Sequence, residues 1–204
     1  CMCDEGLIPN NIILLLALKA CTSIRDIAQG MVIHNAISKV DIVTSKSLYT
    51  VIIDMYSKCG YLEDARNIFE RSGPRRDVTI WTVMINGYVV WQKGQLALEL
   101  YQRMLEEEDE DIMPDESMFL CVLKACGSVE SILDCLSIHN HIICTGVEYS
   151  ITVGNTLVDT YAKCGSLFQA HKIFCKMPKH DVVTWSTIIS GYVQQGEELH
   201  ALNL

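Results

Sequence analysis

Apolar side chains recur along this chain at helical spacing. Leu62, Ala65, Ile68 and Phe69 lie three and four residues apart, which places them on one helical face. Leu167, Ala170, Ile173 and Phe174 repeat that face, and Ala97, Leu100, Tyr101 and Met104 show it again. The small alanine in each set leaves room for a neighbouring helix. The pattern predicts six helix pairs: 11–22 with 25–38, 46–58 with 61–71, 79–92 with 94–107, 116–127 with 130–144, 153–163 with 166–176, and 184–195 with 197–204. Gly60 and Gly165 each follow a cysteine where one helix must end and the next begin, a place suited to left-handed backbone. Pro9, Pro74, Pro114 and Pro178 punctuate the ends of second helices.

The pattern is also an internal repeat. Asp54–Phe69 reads DMYSKCGYLEDARNIF, and Asp159–Phe174 reads DTYAKCGSLFQAHKIF, with nine of sixteen positions identical at an offset of 105 residues. The same offset carries Leu18-Lys19-Ala20-Cys21 onto Leu123-Lys124-Ala125-Cys126, His34 onto His139, and Pro9 onto Pro114. After the loss of one residue near Met177, Trp81, Gly87 and Tyr88 recur as Trp185, Gly191 and Tyr192. The offset divides into three helical hairpins of just over 30 residues each. A single hairpin cannot bury its apolar face, whereas stacked hairpins can. The expected architecture is therefore all-α, a right-handed α-solenoid superhelix with a concave inner surface.

Composition agrees. Half of the 204 residues are apolar, and there are only four prolines and twelve glycines. The ten cysteines sit inside the helical patterns, several at matching places in the repeat, which fits free buried thiols in a reducing compartment better than a disulfide framework. The longest apolar run, Ile12 to Leu18, is far shorter than the roughly 20 residues a bilayer needs. The chain begins at Cys1 with no visible targeting peptide, and both ends fall inside repeats, so a fragment or processed product is expected. The net charge of −9 opposes nucleic-acid binding, because phosphates repel acidic surfaces. Much of it comes from six consecutive acids, Glu106 to Asp111. Without them 19 acids face 16 bases, a net of −3. That run reads as a solvated loop.

Several stretches carry a family resemblance. KACTSI and KACGSV, MVIHNAI and LSIHNHI, DMYSKCGYLEDARNIF, and WTVMINGY with WSTIISGY resemble plant pentatricopeptide repeats of the class that cycles through P, L and S variants. The resemblance covers essentially the whole chain. It implies that residues 1–10 are the tail of a P repeat, 11–45 an L repeat, 46–77 an S repeat and 78–115 a P repeat. Residues 116–150 are then L, 151–181 S, and 182–204 a truncated P repeat. The acidic run lengthens the 78–115 repeat by about three residues relative to the family pattern.

The resemblance implies single-stranded RNA as the partner, read one base per suitable repeat by the fifth and last residues. On this sequence those pairs are Thr50 with Asp77, Thr82 with Asp115, and Asn155 with Asp181. Ser186 stands at the fifth position of the last repeat, and Asn10 ends the first. The L repeats carry Leu15 and Leu120 with Ser45 and Ser150, and leucine cannot hydrogen-bond, so these repeats should act as spacers. The family's pairing tendency assigns guanine to Thr with Asp, uracil to Asn with Asp, and a purine to Ser, giving G, G, any base, U, purine. The second residues, Ile12, Ser47, Thr79, Ser117, Thr152 and Val183, should flank bases. Capping of helix N-termini is an equally good account of any one of these short polar residues. Trp81 and Trp185 recur at a core position, so packing explains them better than base stacking.

No catalytic or metal constellation stands out. The His-x-Glu and Pro-Cys-x-x-Cys pair of a zinc deaminase is missing, as is a phosphate-cradling G-x-x-x-x-G-K-[ST] loop. His139, His141 and Cys144 lie close in sequence. However, His139 matches His34, whose repeat has Ala36 and Lys39 at the other two places, so a structural histidine is expected. The chain is thus expected to be no enzyme, with no cofactor, no metal, no membrane contact and no small-molecule substrate. Three readings stay open. The first is RNA recognition for organellar processing such as C-to-U editing, in a mitochondrion or chloroplast, with editing-complex proteins as further partners. The second is a helical-repeat scaffold for proteins, and the third is a remnant too short to bind tightly.

Overall fold

The computed structural model describes residues 10–39, 45–73, 76–107, 112–147 and 150–204. Among the described residues every regular element is helical: α1 (Asn11–Ile24), α2 (Ile27–Lys39), α3 (Lys46–Lys58), α4 (Leu62–Ser72), α5 (Val78–Val90), α6 (Gly94–Glu106), α7 (Glu116–Val129), α8 (Ile132–Thr145), α9 (Ile151–Lys163), α10 (Leu167–Lys176), α11 (Val182–Gln194) and α12 (Glu198–Leu202). Each expected helix is present within a few residues. The chain folds as two compact units, Cys1–Trp91 and Gln92–Leu204.

In the first unit α3 packs beside both α1 and α5, with α2 and α4 behind them. The second unit repeats the plan, with α9 between α7 and α11. The faces expected from spacing are the buried ones. Ala65, Phe69, Ala97 and Ala170 are fully buried, and Ile68, Leu100, Tyr101, Met104, Ile173 and Phe174 nearly so. Trp81 is fully buried, with the edge of Phe69 against its ring at 4.8 Å. Such a pair adds ~0.5–1.5 kcal/mol beyond area burial. Trp185 differs: it meets Phe174 in the same way at 4.9 Å, yet 39% of it stays exposed.

The Gly-Tyr pair that follows each tryptophan has a packing reason. A β-carbon on Gly87 would meet Ser57 Cβ at 2.8 Å, and one on Gly191 would meet Ala162 Cβ at 2.8 Å. Glycine thus lets α5 approach α3, and α11 approach α9. The adjoining tyrosines anchor second helices. Arg66 of α4 donates to the Tyr88 hydroxyl at 3.4 Å, and Tyr192 lies 3.0 Å from His171 Nδ1. The same link joins His34 to Tyr56 and His139 to Tyr161.

Each hairpin turn is left-handed. Gly60, Gly165 and Gly196 adopt φ of 89°, 76° and 76°, as expected for the first two. Arg25, Gln92 and Glu130 hold φ of 55–56° at the other three turns, where sequence offers no glycine.

Pro114 stands just before α7 and Pro178 just after α10, whereas Pro9 and Pro74 lie outside the described residues. Of the acidic run, Glu106 closes α6 and Glu107 pairs with Arg103 at 3.2 Å; 108–111 lie outside the described residues. Cys21, Cys126 and Cys135 are buried free thiols. Burial, then the neighbouring Cys164, pushes Cys135 up to about 12, so it stays protonated. No helix among the described residues is long and apolar enough to cross a membrane.

Candidate nucleic-acid interface

Short polar side chains near the starts of first helices define the candidate site. In the first unit α1, α3 and α5 enclose an open groove of about 410 Å³. Thr50 and Asp77 both line it, so the fifth and last residues expected to act together do share one cavity wall. Ser47 and Thr79, the second residues of adjoining repeats, line it too. Val51, Asp54 and Val83 complete the floor, with Lys19 and Lys46 beside them.

The hydroxyls are oriented by their own helices. Thr50 donates to the Lys46 carbonyl at 3.0 Å, Thr82 to Val78 at 2.7 Å, and Ser186 to Val183 at 2.9 Å. A hydroxyl whose proton is spent on the backbone presents its oxygen as an acceptor.

Each last residue expected to read a base caps a helix with its side chain. Asn10 accepts from Ile13 N at 3.0 Å, Asp77 from Ile80 N at 3.1 Å, and Asp115 from Met118 N at 2.8 Å. Asp181 accepts from Thr184 N at 2.7 Å and from its hydroxyl at 2.8 Å. In all four the cap uses Oδ1 and so fixes the carboxylate or amide in place. The capping account therefore holds at all four positions and leaves base contact available as a second role. The backbone and hydroxyl of Thr184, then Asn155, hold the Asp181 carboxyl below its usual range.

Asn155 and Asp181 are brought together in the second unit. Asn155 Nδ2 points at Asp181 Oδ1 across 3.5 Å, and Asn155 Oδ1 is buried with no partner among the described residues. A contact of 3.5 Å is long for a hydrogen bond. Thr82 lies in the first unit and Asp115 in the second, each within its own helix array. Ser186 is exposed on α11. Leu15 and Leu120, the spacer positions, are half-buried. Ser150 donates to Glu116 at 2.6 Å instead of capping α9.

The histidines near Cys144 have separate partners. His139 Nδ1 faces Tyr161 and His141 Nδ1 faces Tyr101, both at 2.8 Å. Sequence reasoning gave no place in the site to Lys19, Lys46 or Asp54. Lys19 is visible in the repeat as the match of Lys124, but nothing local reveals that it reaches a groove.

The PPR repeat model matches residues 47–72, 79–108, 155–182 and 183–204, together half of the chain. A putative pentatricopeptide repeat-containing protein of Arabidopsis thaliana is 34% identical over 202 residues, covering 98% of this chain and 29% of the relative. A second from the same plant, named as mitochondrial, is 32% identical over 192 residues, 94% of this chain and 34% of the relative. The chain thus spans about a third of the length of these relatives. The crystal structure of the pentatricopeptide repeat protein PPR10 from maize superposes with a TM-score of 0.76 at 18% identity, over 99% of this chain and 29% of that one. PPR10 in complex with an 18-nucleotide psaJ RNA element gives 0.74 at 16% identity, over 99% and 31%. The helix pairs, their stacking and these matches agree: the chain belongs to the pentatricopeptide repeat family.

Proposed function

We propose that this chain binds single-stranded RNA, with Thr50–Asp77 and Asn155–Asp181 each reading one base edge. The observation that carries the reading is the shared groove of Thr50 and Asp77, flanked by Ser47 and Thr79. Thr50 and Asp77 offer acceptors only, the complement of a guanine edge, which presents two adjacent N–H donors. The Asn155 amide carries both a donor and an acceptor, the pair that suits uracil, whose N3–H is flanked by carbonyls. Ser186 reads a purine, and Asn10 closes the preceding repeat. The L repeats at 11–45 and 116–150 space these readers apart.

PPR10, which shares the fold, is known bound to RNA, and curated relatives are named mitochondrial or chloroplastic. Organellar transcripts are the proposed target, with recognition of C-to-U editing sites as the processing step and editing proteins as further partners. The test is titration of single-stranded RNA against salt. Binding with log affinity falling by roughly 0.7 per neutralised phosphate per log unit of salt supports the reading. Failure to bind any single strand would contradict it and favour a protein scaffold.

A further inference from the structure

We infer that Lys19 and Lys46 grip phosphates of the strand whose base Thr50 and Asp77 read; this rests on the RNA reading above. Several cations elsewhere in the fold pair with carboxylates. Lys58 pairs with Asp54 at 2.9 Å, Lys163 with Asp159 at 2.6 Å, Arg66 with Glu70 at 2.6 Å, and Arg103 with Glu107 at 3.2 Å. Lys19 and Lys46 are exposed and form no ion pair among the described residues, and both line the groove that holds Thr50 and Asp77.

The acids in that groove are already engaged, Asp54 by Lys58 and Asp77 by the α5 N-terminus. Lys19 and Lys46 thus bring two positive charges to a groove whose acids are Asp54 and Asp77, in a chain that carries −9. Lys46 is also badly placed for its own helix. It is the first residue of α3, where the helix dipole disfavours a cation, whereas Lys58 sits in the last turn of α3, where the dipole favours one. A residue that works against its helix and faces an open groove is placed for a ligand, and the ligand must be anionic. A phosphodiester beside each read base supplies that charge. The second unit is unequal: Lys124 stands where Lys19 does, but Ile151 replaces Lys46, so the grip is weaker there.

The test uses the whole chain and one single-stranded RNA oligonucleotide, titrated across salt from about 50 to 200 mM. Lys19→Ala and Lys46→Ala should each make the slope of log affinity against log salt shallower by about 0.7, and the double variant by about 1.4. Lys46→Arg should keep the slope, and Ile151→Lys, at a position already 38% exposed, should steepen it by about 0.7. Base preference should not change in any of them. The inference is overturned if the unaltered chain binds RNA but the double variant keeps its slope, or if Lys46→Ala alters base preference instead. Absence of any binding by the unaltered chain overturns the RNA reading and this inference with it.

Discussion

The Nδ1 of His139 lies 2.8 Å from the Tyr161 hydroxyl, and the His34–Tyr56 pair repeats this arrangement at 3.0 Å. Each pair ties the second helix of one hairpin to the first helix of the next, 22 residues further on. Burial lowers the pKa of His34, the Arg71 charge lowers it further, and Asp64 opposes them. Burial also lowers His141. A histidine held neutral in the fold binds its proton more readily once unfolded. Stability is then fully present above the ordinary histidine value of 6.5 and is lost as pH falls below it, until the depressed native value is reached. Thermal unfolding at about pH 5.5 should therefore occur at lower temperature than at about pH 7.5. His34→Asn, which keeps a polar atom near Nδ1 but does not titrate, should narrow that gap. An unchanged gap would contradict this account of the pair.

Close approach of first helices makes a second expectation. Gly→Ala inside a helix gains ~1 kcal/mol of propensity, while forced overpacking costs ~1–3 kcal/mol. At Gly191 the new methyl would meet Ala162 Cβ at 2.8 Å, which cannot rotate away, so overpacking wins and Gly191→Ala should lose about 1 kcal/mol. At Gly30 the nearest atoms are Met55 Sδ and Cε, the free end of a flexible side chain. Gly30→Ala should be neutral or mildly stabilising. Urea unfolding of the two variants checks the contrast, and equal effects would contradict it.

The left-handed turns supply a third. Glu130 holds φ of 55° with a side chain, while Gly165 holds 76° without one and has open space where a β-carbon would sit. Left-handed backbone costs a side-chain-bearing residue roughly 1–2 kcal/mol, partly offset by the greater chain entropy glycine loses on folding. Glu130→Gly should stabilise by about 0.5 kcal/mol, and Gly165→Ala should destabilise by about 1 kcal/mol. The midpoints of thermal unfolding should move in opposite directions.

Helix positions were legible because period and offset both encode them. The buried Leu62–Phe69 stripe, its two repeats and the turns at Gly60 and Gly165 all follow from spacing. Tertiary partners were not legible. Trp81 and Trp185 occupy matching places, but one is sealed and the other is 39% exposed, since burial depends on what packs against a residue. The His34–Tyr56 link spans a distance that no local period reports. The pairing of Thr50 with Asp77 came from family likeness, and the groove places them on one cavity wall. Asp77 also caps α5, so sequence alone could not divide its two roles.

Base choice at Asn155 is the most direct test of the whole account. Asn155→Thr replaces an amide that both donates and accepts with a hydroxyl whose proton the helix consumes, as at Thr50. Binding should be measured to two single-stranded RNAs that differ only by U or G at the base facing Asn155 and Asp181. The account predicts that the unaltered chain prefers U and the variant prefers G, a reversal worth about tenfold or more for a net change of ~1.4 kcal/mol. Equal preference for the two RNAs before and after the substitution would contradict it.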